Sequence, residues 1–294
     1  MGVGGADLFE GFDLRFVETA EATIRARVGG AGPPLLLLHG HPQTHVMWHA
    51  VARRLARDFT VVAADLRGYG GSSRPAATAD HEPHSKRAMA RDMAEVMRRL
   101  GFGRFAVVGH DRGGRVAYRL ALDHAQAVTR LAVLDIIPTG EAWRRVDMAF
   151  AMHYFHWFFL AQPAPMPERL IAADPDAFYF RSGRERFHPD ALAEYLGWAR
   201  QPDVIAAMVE DYRAGATYDR EADDADRAAG RRIGCPVLVL WSSESDVWRR
   251  IDVLDVWRGW AGDVRGRSLD CGHYLAEELP DETYAELAAF FSDA

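Results

Sequence analysis

The sequence contains little cysteine, no concentrated positive charge and no long apolar run. Two of its 294 residues are cysteine, Cys235 and Cys271, and so sparse a pair is typical of reduced thiols in the cytoplasm. The net charge is −7 and no dense basic segment occurs, which argues against nucleic acid as a partner. The most apolar stretch, residues 154–160, is far too short to cross a membrane.

Sequence signals for export and for bound metal are also missing. Residues 1–7 lack the basic and apolar regions of a secretory leader, so we expect a cytoplasmic protein without membrane attachment. His, Cys and Asp do not cluster with the spacing of metal ligands, and we expect neither a metal ion nor an organic cofactor. The chain is 49% hydrophobic, which suffices for one large domain with an insertion or for two small domains.

Strand-like and helix-like patterns alternate along most of the chain. Eight segments have the continuous or alternating apolar pattern of strands, namely 14–17, 23–28, 34–38, 59–63, 105–108, 131–135, 235–241 and 264–269. The first two are expected to pair antiparallel, and helical patterns separate most of the others. This alternation predicts an α/β fold, in which a mostly parallel eight-stranded sheet is covered by helices on both faces.

The alternation stops between about residues 139 and 218. This segment is rich in Trp, Phe, Tyr and Met, has no convincing strand pattern, and is divided by prolines into short helical pieces. We interpret it as a helical cap over the carboxyl edge of the sheet, where open α/β sheets bind ligands. The predicted organisation is a first part of the core at 1–138, a cap at 139–225 and a second part of the core at 226–294.

One short segment carries the strongest chemical signal. Residues 109–115 read GHDRGGR and lie between a strand pattern and a helical pattern. Strand, glycine-flanked turn and helix form the setting of a nucleophile elbow, whose central residue here is Asp111. An ordinary helix N-cap is the alternative interpretation, which the glycine spacing disfavours. A carboxylate needs no deprotonation at neutral pH and can attack an sp³ carbon, which leaves an ester to be hydrolysed.

Hydrolysis of such an ester requires a general base and an acid that orients it. His273 follows the last predicted strand and is the candidate base, because elbow enzymes have the chain order nucleophile, acid, histidine. Two acids compete for the remaining position. Asp135 ends the strand 131–135, and Asp246 follows the strand 235–241. The spacing alone favours neither of them strongly.

Seven motifs, taken together, resemble those of one known group. They are HGHPQT (39–44), DLRGYGGSS (65–73), GHDRGGR (109–115), LDIIPT (134–139), HW (156–157), DYRAGA (211–216) and CGHYLAEELP (271–280). The group is the fluoroacetate dehalogenases, α/β-hydrolases that act on haloacetates. GHDRGGR alone is shared with epoxide hydrolases, whereas its combination with HW and DYRA is much more specific. The resemblance covers nearly the whole chain and implies an α/β-hydrolase fold with an inserted helical cap.

The resemblance implies roles for residues around the elbow. Arg112 and Arg115 would clamp the substrate carboxylate, for which the forked donors of guanidinium groups are suited. Asp135 matches the acid of the group, which favours it over Asp246. His41 stands where relatives commonly have Phe. Its backbone N–H is still expected in the oxyanion hole, while its side chain changes the polarity of the pocket.

The resemblance also implies a halide site in the cap. His156, Trp157 and Tyr212 would supply three hydrogen-bond donors to the departing halide. Tyr218 stays an alternative to Tyr212, because the alignment of the intervening loop could slip. Without the resemblance, the aromatic segment 155–160 would be interpreted as core packing of a cap helix.

The predicted reaction is hydrolysis of a haloacetate to glycolate and halide. Asp111 would attack the carbon, and water activated by His273 with Asp135 would release the ester. The expected partner is a small haloacid, and the resemblance implies a homodimer. One alternative is an epoxide hydrolase, in which cap tyrosines act as acids, although a neutral epoxide does not explain the paired arginines. A ligand receptor without catalysis is the other. The tyrosines available to an epoxide hydrolase are Tyr154, Tyr179, Tyr195, Tyr212 and Tyr218.

Overall fold

The described part of the chain is organised around a sheet of eight strands. The computed structural model describes residues 8–181 and 183–292, so the segment 1–7 considered above lies outside the described residues. The strands are β1 (Asp13–Glu18), β2 (Thr23–Gly29), β3 (Pro34–Leu38), β4 (Thr60–Ala64), β5 (Phe105–His110), β6 (Val128–Leu134), β7 (Val237–Ser242) and β8 (Val264–Leu269). Their order across the sheet is β1-β2-β4-β3-β5-β6-β7-β8.

The sheet is parallel except at one edge. β1 pairs antiparallel with β2, and β2 pairs antiparallel with β4, whereas every later pair is parallel. In the centre, Leu36 of β3 lies opposite Val62 on one side and Val107 on the other. All four leucines of β3 are fully buried, because helices cover both faces of the sheet. The predicted α/β fold with a mostly parallel eight-stranded sheet is confirmed.

Fourteen α-helices surround the sheet among the described residues. They are α1 (His49–Leu55), α2 (Lys86–Arg99), α3 (Arg112–Asp123), α4 (Thr139–Arg144), α5 (Met148–His153), α6 (Phe155–Leu160), α7 (Met166–Ala173), α8 (Pro175–Tyr179), α9 (Pro189–Ala199), α10 (Pro202–Ala216), α11 (Tyr218–Ala228), α12 (Val253–Arg258), α13 (Leu275–Glu278) and α14 (Pro280–Ser292). Short 3₁₀ helices occupy His45–Trp48, Glu82–His84, Arg184–Arg186 and Trp248–Arg250. The 3₁₀ helix His45–Trp48 is capped by the Thr44 side chain and leads directly into α1.

Helices α4–α11 all lie between β6 and β7 in the chain. Within the described part of 139–218 no strand occurs, as the sequence pattern predicts. Residues of these helices and residues at the carboxyl ends of the parallel strands line the same cavity, so the helical segment lies over that edge of the sheet. The predicted division at residues 138 and 225 stays a prediction, and its second boundary falls inside α11.

Candidate active site

The turn between β5 and α3 holds Asp111 in an unusual backbone conformation. Its φ of +47° and ψ of −116° are rarely adopted by residues other than glycine. A Cβ at Gly109 would collide with the backbone of Gly113, and a Cβ at Gly113 would collide with the carbonyl oxygen of His39. The two glycines therefore permit the sharp elbow that places the Asp111 carboxyl group at the carboxyl edge of the sheet.

The Asp111 carboxyl group is buried but stabilised as an anion. Its Oδ1 accepts a hydrogen bond of 2.9 Å from the backbone N–H of His41. Burial acts to raise the pKa of Asp111, but the positive charge of His273 and of Arg112 outweighs it and keeps that pKa well below its ordinary value. Asp111 is therefore ionised at neutral pH, as a carboxylate nucleophile requires.

His273 and Asp135 form a hydrogen-bonded pair beside Asp111. The Nδ1–H of His273 donates to Asp135 Oδ2 over 2.5 Å, which leaves Nε2 as the free ring nitrogen. Asp135 follows β6 with a φ of +58°, and its Oδ1 accepts from the backbone N–H of Ser242 over 2.8 Å. Asp246, by contrast, is exposed and pairs with Arg249. Of the two acids that the sequence offered, Asp135 is the one in contact with the histidine.

The contacts with Asp135 shift the pKa of His273. Burial acts to lower the pKa of His273, but the hydrogen bond and negative charge of Asp135 raise that pKa above its ordinary value. The backbone of His273 is held as well, because the Nε2–H of His110 donates to its carbonyl oxygen over 2.8 Å. His110 was missed by sequence reasoning, although it precedes Asp111 directly in the elbow motif.

A cavity of about 460 Å³ opens above Asp111. The sheet edge contributes His41, Asp111, Asp135 and His273 to its wall, and the helical segment contributes the three predicted halide ligands His156, Trp157 and Tyr212. The alternative halide ligand Tyr218 does not line this cavity and lies beside Arg87.

The three halide candidates are brought together. The rings of His156 and Tyr212 are 5.7 Å apart, and Trp157 is 4% exposed. Among the described residues, neither the His156 ring nor the Trp157 indole N–H forms a hydrogen bond with the protein. Burial lowers the pKa of His156 to about 3, so its imidazole is neutral and carries one N–H. These polar groups are therefore available to a ligand in the cavity.

The two arginines of the elbow have different surroundings. Arg115 lines a chamber of about 10 Å³ beside Asp111 and Trp157, and its Nη1 donates to the carbonyl oxygen of Ile137 over 3.0 Å. The Arg112 guanidinium lies 3.4 Å from the centre of the Tyr212 ring and does not line either space. Both positive charges lower the pKa of Asp111, Arg112 more than Arg115, but Arg115 lines the chamber beside Asp111 whereas Arg112 stacks on the ring of Tyr212. The predicted carboxylate clamp stays a prediction.

The comparison with family models identifies the fold. Residues 33–280 match the model of the alpha/beta hydrolase fold. The chain belongs to the alpha/beta hydrolase family. This range contains the elbow, the acid and the histidine, which are the three positions at which enzymes of this fold carry their catalytic residues.

Comparisons with whole proteins agree with that assignment. A fluoroacetate dehalogenase from Burkholderia sp. is 48% identical over 98% of this chain and 96% of its own length. A crystal structure of a candidate alpha/beta hydrolase from Nostoc sp. PCC 7120 superposes with a TM-score of 0.95, at 52% identity, covering 97% of this chain and all of that one. A Pseudomonas aeruginosa structure named as a candidate epoxide hydrolase is 49% identical, with a TM-score of 0.91, and covers 97% of this chain and 96% of that one. The resemblance to fluoroacetate dehalogenases is thereby confirmed.

Behind Arg112, this α/β hydrolase contains a buried charge network that sequence reasoning missed. Asp211 is fully buried, lies 3.7 Å from Arg112 Nε through its Oδ2, and accepts a hydrogen bond of 2.6 Å from the Tyr69 hydroxyl. Its Oδ1 pairs with Lys86, which also lies 3.3 Å from Asp219. The negative charge of Asp211 therefore lies beside the Arg112 guanidinium and does not line the cavity. Asp211 is the first residue of the DYRA motif, and an acidic residue directly before Tyr212 was the sequence signal for this network.

The tyrosines of the helical segment divide into two groups. Tyr154, Tyr179 and Tyr212 line the cavity of this α/β hydrolase. Tyr195 is fully buried outside this cavity, and its hydroxyl donates to the Glu277 carboxyl group over 2.9 Å. Together with Tyr218, which lies outside the cavity, it is therefore removed from the set that an epoxide substrate could reach.

Other features of the described residues bear on the expectations from composition. Both cysteines are free thiols, Cys271 buried and Cys235 half-buried. No helix in the described ranges has the length and apolarity needed to cross a membrane. In those same ranges, no three His, Cys, Asp or Glu side chains are grouped as metal ligands would be.

Proposed function

We propose that this α/β hydrolase removes halide from haloacetates by hydrolysis and releases glycolate. The observation that carries the proposal is the arrangement of an ionised Asp111 at the elbow beside the His273–Asp135 pair. A carboxylate in that position serves displacement at carbon, whereas ester hydrolysis on the same fold uses a serine. The 48% identity to a fluoroacetate dehalogenase supports the substrate class.

In the first half-reaction, an Asp111 oxygen forms a bond to the carbon that carries the halogen. The carbon–halogen bond breaks, and the halide leaves with the bonding electron pair. The product is an ester between Asp111 and the two-carbon acid. The backbone N–H of His41 donates to Asp111 Oδ1, so the free oxygen Oδ2 is the better placed attacking atom.

The departing halide is received by His156, Trp157 and Tyr212. Halide ions are stabilised in water by hydrogen bonds, and fluoride needs them most because it is small and strongly hydrated. Donors fixed in a cavity wall replace that hydration without reorganisation in the transition state. The pKa of His156 is about 3, so its imidazole is uncharged at neutral pH. It can therefore donate a hydrogen bond to the halide without holding the ion by a full positive charge.

In the second half-reaction, the free Nε2 of His273 takes a proton from water. The resulting hydroxide attacks the ester carbonyl carbon of Asp111, and the N–H of His41 stabilises the oxyanion. The ester C–O bond then breaks, His273 returns its proton to the hydroxyl oxygen of glycolate, and the regenerated Asp111 carboxyl group loses the second proton of the water to solvent. Asp135 holds the imidazole in the required tautomer and stabilises its positive form.

Arg115 and Arg112 are proposed to bind the carboxylate of the substrate. Arg115 lines the chamber next to Asp111, and Arg112 is within reach once its guanidinium turns from the Tyr212 ring. Both positive charges also offset the repulsion between the substrate anion and the Asp111 anion.

The test separates the two half-reactions. From chloroacetate and from fluoroacetate, wild-type protein should release one halide ion for each molecule of glycolate. His273→Asn should release about one halide per active site and then retain the acid as an ester on the peptide containing Asp111, which intact-protein and peptide mass spectrometry detect. Asp135→Asn should slow ester hydrolysis strongly, whereas the matched variant Asp246→Asn should not. Absence of halide release by the wild-type protein would refute the proposal.

Epoxide hydrolysis is the second candidate, and one observation favours it. The cavity contains three tyrosine side chains, Tyr154, Tyr179 and Tyr212, and phenolic hydroxyls can protonate an opening epoxide. The fully buried arginine pair at the elbow argues the other way, because an epoxide carries no charge. Parallel assays with styrene oxide and chloroacetate distinguish the two functions.

The homodimer and the cytoplasmic location also stay predictions. The exposed apolar side chains of α5 and α6, Met148, Met152 and Phe155, are candidates for burial between two copies. Sedimentation equilibrium of the wild-type protein measures the oligomeric state directly.

A further inference from the structure

The cavity is larger than a haloacetate requires. Its volume of about 460 Å³ falls in the range of about 300–1,000 Å³ that is usual for ligands of drug size. Chloroacetate has only five non-hydrogen atoms, so part of the wall lines space that this substrate leaves unfilled. The chemistry of that part of the wall therefore bears on which haloacids fit best.

One side chain in the wall has an unexplained polar character. His41 is 9% exposed, and among the described residues no hydrogen bond is made to either nitrogen of its ring. Its Nδ1 is enclosed, so Nε2 is the nitrogen that remains to face the cavity. Burial lowers the pKa of His41 to about 3, which makes the imidazole a neutral group. With the lone pair on the enclosed Nδ1, the N–H points from Nε2 and can donate to a ligand.

A second polar group without a partner lies beside it. The ring of Tyr179 is 5.2 Å from the ring of His41, and both residues line the cavity. Among the described residues, the Tyr179 hydroxyl has no hydrogen-bond partner. Burial raises the pKa of Tyr179 above its ordinary value, so the hydroxyl stays protonated. Buried polar groups are normally hydrogen-bonded. The Tyr179 hydroxyl is enclosed like the Nδ1 of His41, so the Nε2–H of His41 is the donor of this pair that the cavity exposes.

The position of His41 indicates which part of the substrate reaches this wall. Its backbone N–H contacts the attacking carboxylate of Asp111, so its side chain is close to the reacting carbon. In the proposed function the carboxylate of the substrate faces the arginines and the halogen faces Trp157. The remaining substituent on the same carbon is then the one directed at His41 and Tyr179. Both wall groups are uncharged, which suits a neutral substituent better than a second carboxylate.

We propose that the Nε2–H of His41, beside the ring of Tyr179, forms a polar subsite for an uncharged, hydrogen-bonding substituent on C2 of the haloacid. Hydroxylated 2-haloacids are then better substrates than alkylated ones of the same size. This inference rests on the proposed dehalogenation and extends it to a substrate class.

The test compares 2-chloro-3-hydroxypropanoate with 2-chlorobutanoate, in which a methyl group replaces the hydroxyl. The measurement is the ratio of their kcat/KM values for chloride release, because a general loss of activity in a variant cancels from the ratio. Wild-type protein should prefer the hydroxylated substrate. His41→Phe should lower the ratio by about three- to tenfold, the usual effect of one neutral hydrogen bond. Tyr179→Phe should leave the ratio unchanged, because the Tyr179 hydroxyl is enclosed. His41→Gln, which restores an uncharged donor, should recover part of the preference.

Tyr284→Phe is the matched control. Tyr284 is on α14, outside the cavity, where its ring packs against the Arg54 guanidinium, so loss of its hydroxyl should leave the ratio unchanged. A wild-type ratio near one, a ratio that His41→Phe leaves unchanged, or a ratio that Tyr179→Phe lowers as much as His41→Phe does would overturn the subsite. So would a loss in His41→Phe that falls on fluoroacetate instead of on the hydroxylated substrate, because His41 would then serve the halide. Chloroacetate turnover is measured alongside. If chloroacetate is dehalogenated but both substituted acids are refused, only the subsite fails. If no chloride is released from any substrate, the proposed function fails and the subsite with it.

Discussion

Replacing Trp157 with Phe tests the halide site most directly. The indole N–H is the feature removed, while most of the aromatic volume stays. Trp157 is 4% exposed and packs 5.5 Å from Trp143 and 5.8 Å from Phe150, ring centre to ring centre, so a smaller ring should remain anchored. Fluoride is the poorest leaving group among the halides and depends most on hydrogen bonds as it departs. We expect fluoroacetate turnover to fall by about 10²-fold or more, the scale for one preorganised donor.

The same substitution has a second effect that must be separated from the first. The Arg115 guanidinium lies 4.6 Å from the centre of the Trp157 ring, and a phenyl ring holds a cation less well than an indole. A cation–π contact contributes about 0.5–2 kcal/mol, which corresponds to about a 2- to 30-fold change. That change acts on carboxylate binding and therefore affects fluoroacetate and chloroacetate alike.

The assay is therefore the ratio of fluoride release to chloride release, measured for wild type and variant under one set of conditions. Loss of the N–H should lower this ratio by at least tenfold, since chloride leaves with less help. Loss of the cation–π contact alone should leave the ratio unchanged. An unchanged ratio would show that Trp157 is core packing and that the halide is bound elsewhere.

Three further predictions follow from the site. Tyr212→Phe should lower the same fluoride-to-chloride ratio, whereas Tyr218→Phe should not, because only Tyr212 lines the cavity. Asp211→Asn should raise KM for chloroacetate by about three- to tenfold with a smaller change in kcat, because the charge that faces Arg112 is lost. The melting temperature should fall too, since Lys86 stays buried, and equal changes in kcat and KM would argue against a positioning role. Finally, steady-state turnover should fall as pH drops through a pKa above 6.5, because His273 must be unprotonated. The initial halide burst should persist there, because the pKa of Asp111 lies far lower; a burst lost over the same pH range would contradict this assignment.

Several site residues could be predicted because their signals are local. The elbow lies within seven residues, and its strand, glycines and helix all require the same turn, so the sequence alone suffices to identify Asp111. His110, next to it, was missed because its partner is the His273 carbonyl oxygen, 163 residues further along the chain. Likewise, the many charges of residues 219–232 do not reveal that Asp219 and Asp223 in α11 are buried against Lys86 and Arg119.

The sequence by itself determined the order of strands and helices, the helical insertion after β6, the elbow at Asp111 and the histidine after the last strand. Each depends on a pattern within a short stretch of sequence, which can be recognised without knowing how distant parts of the chain pack. The family resemblance favoured Asp135 over Asp246 and Tyr212 over Tyr218, but only the tertiary structure shows which acid pairs with His273 and which of the two tyrosines lines the cavity. The acid pairs with a histidine 138 residues away, and Asp211 pairs with a lysine 125 residues away. Such contacts depend on how the sheet edge and the helices over it pack together, and no local pattern encodes that packing.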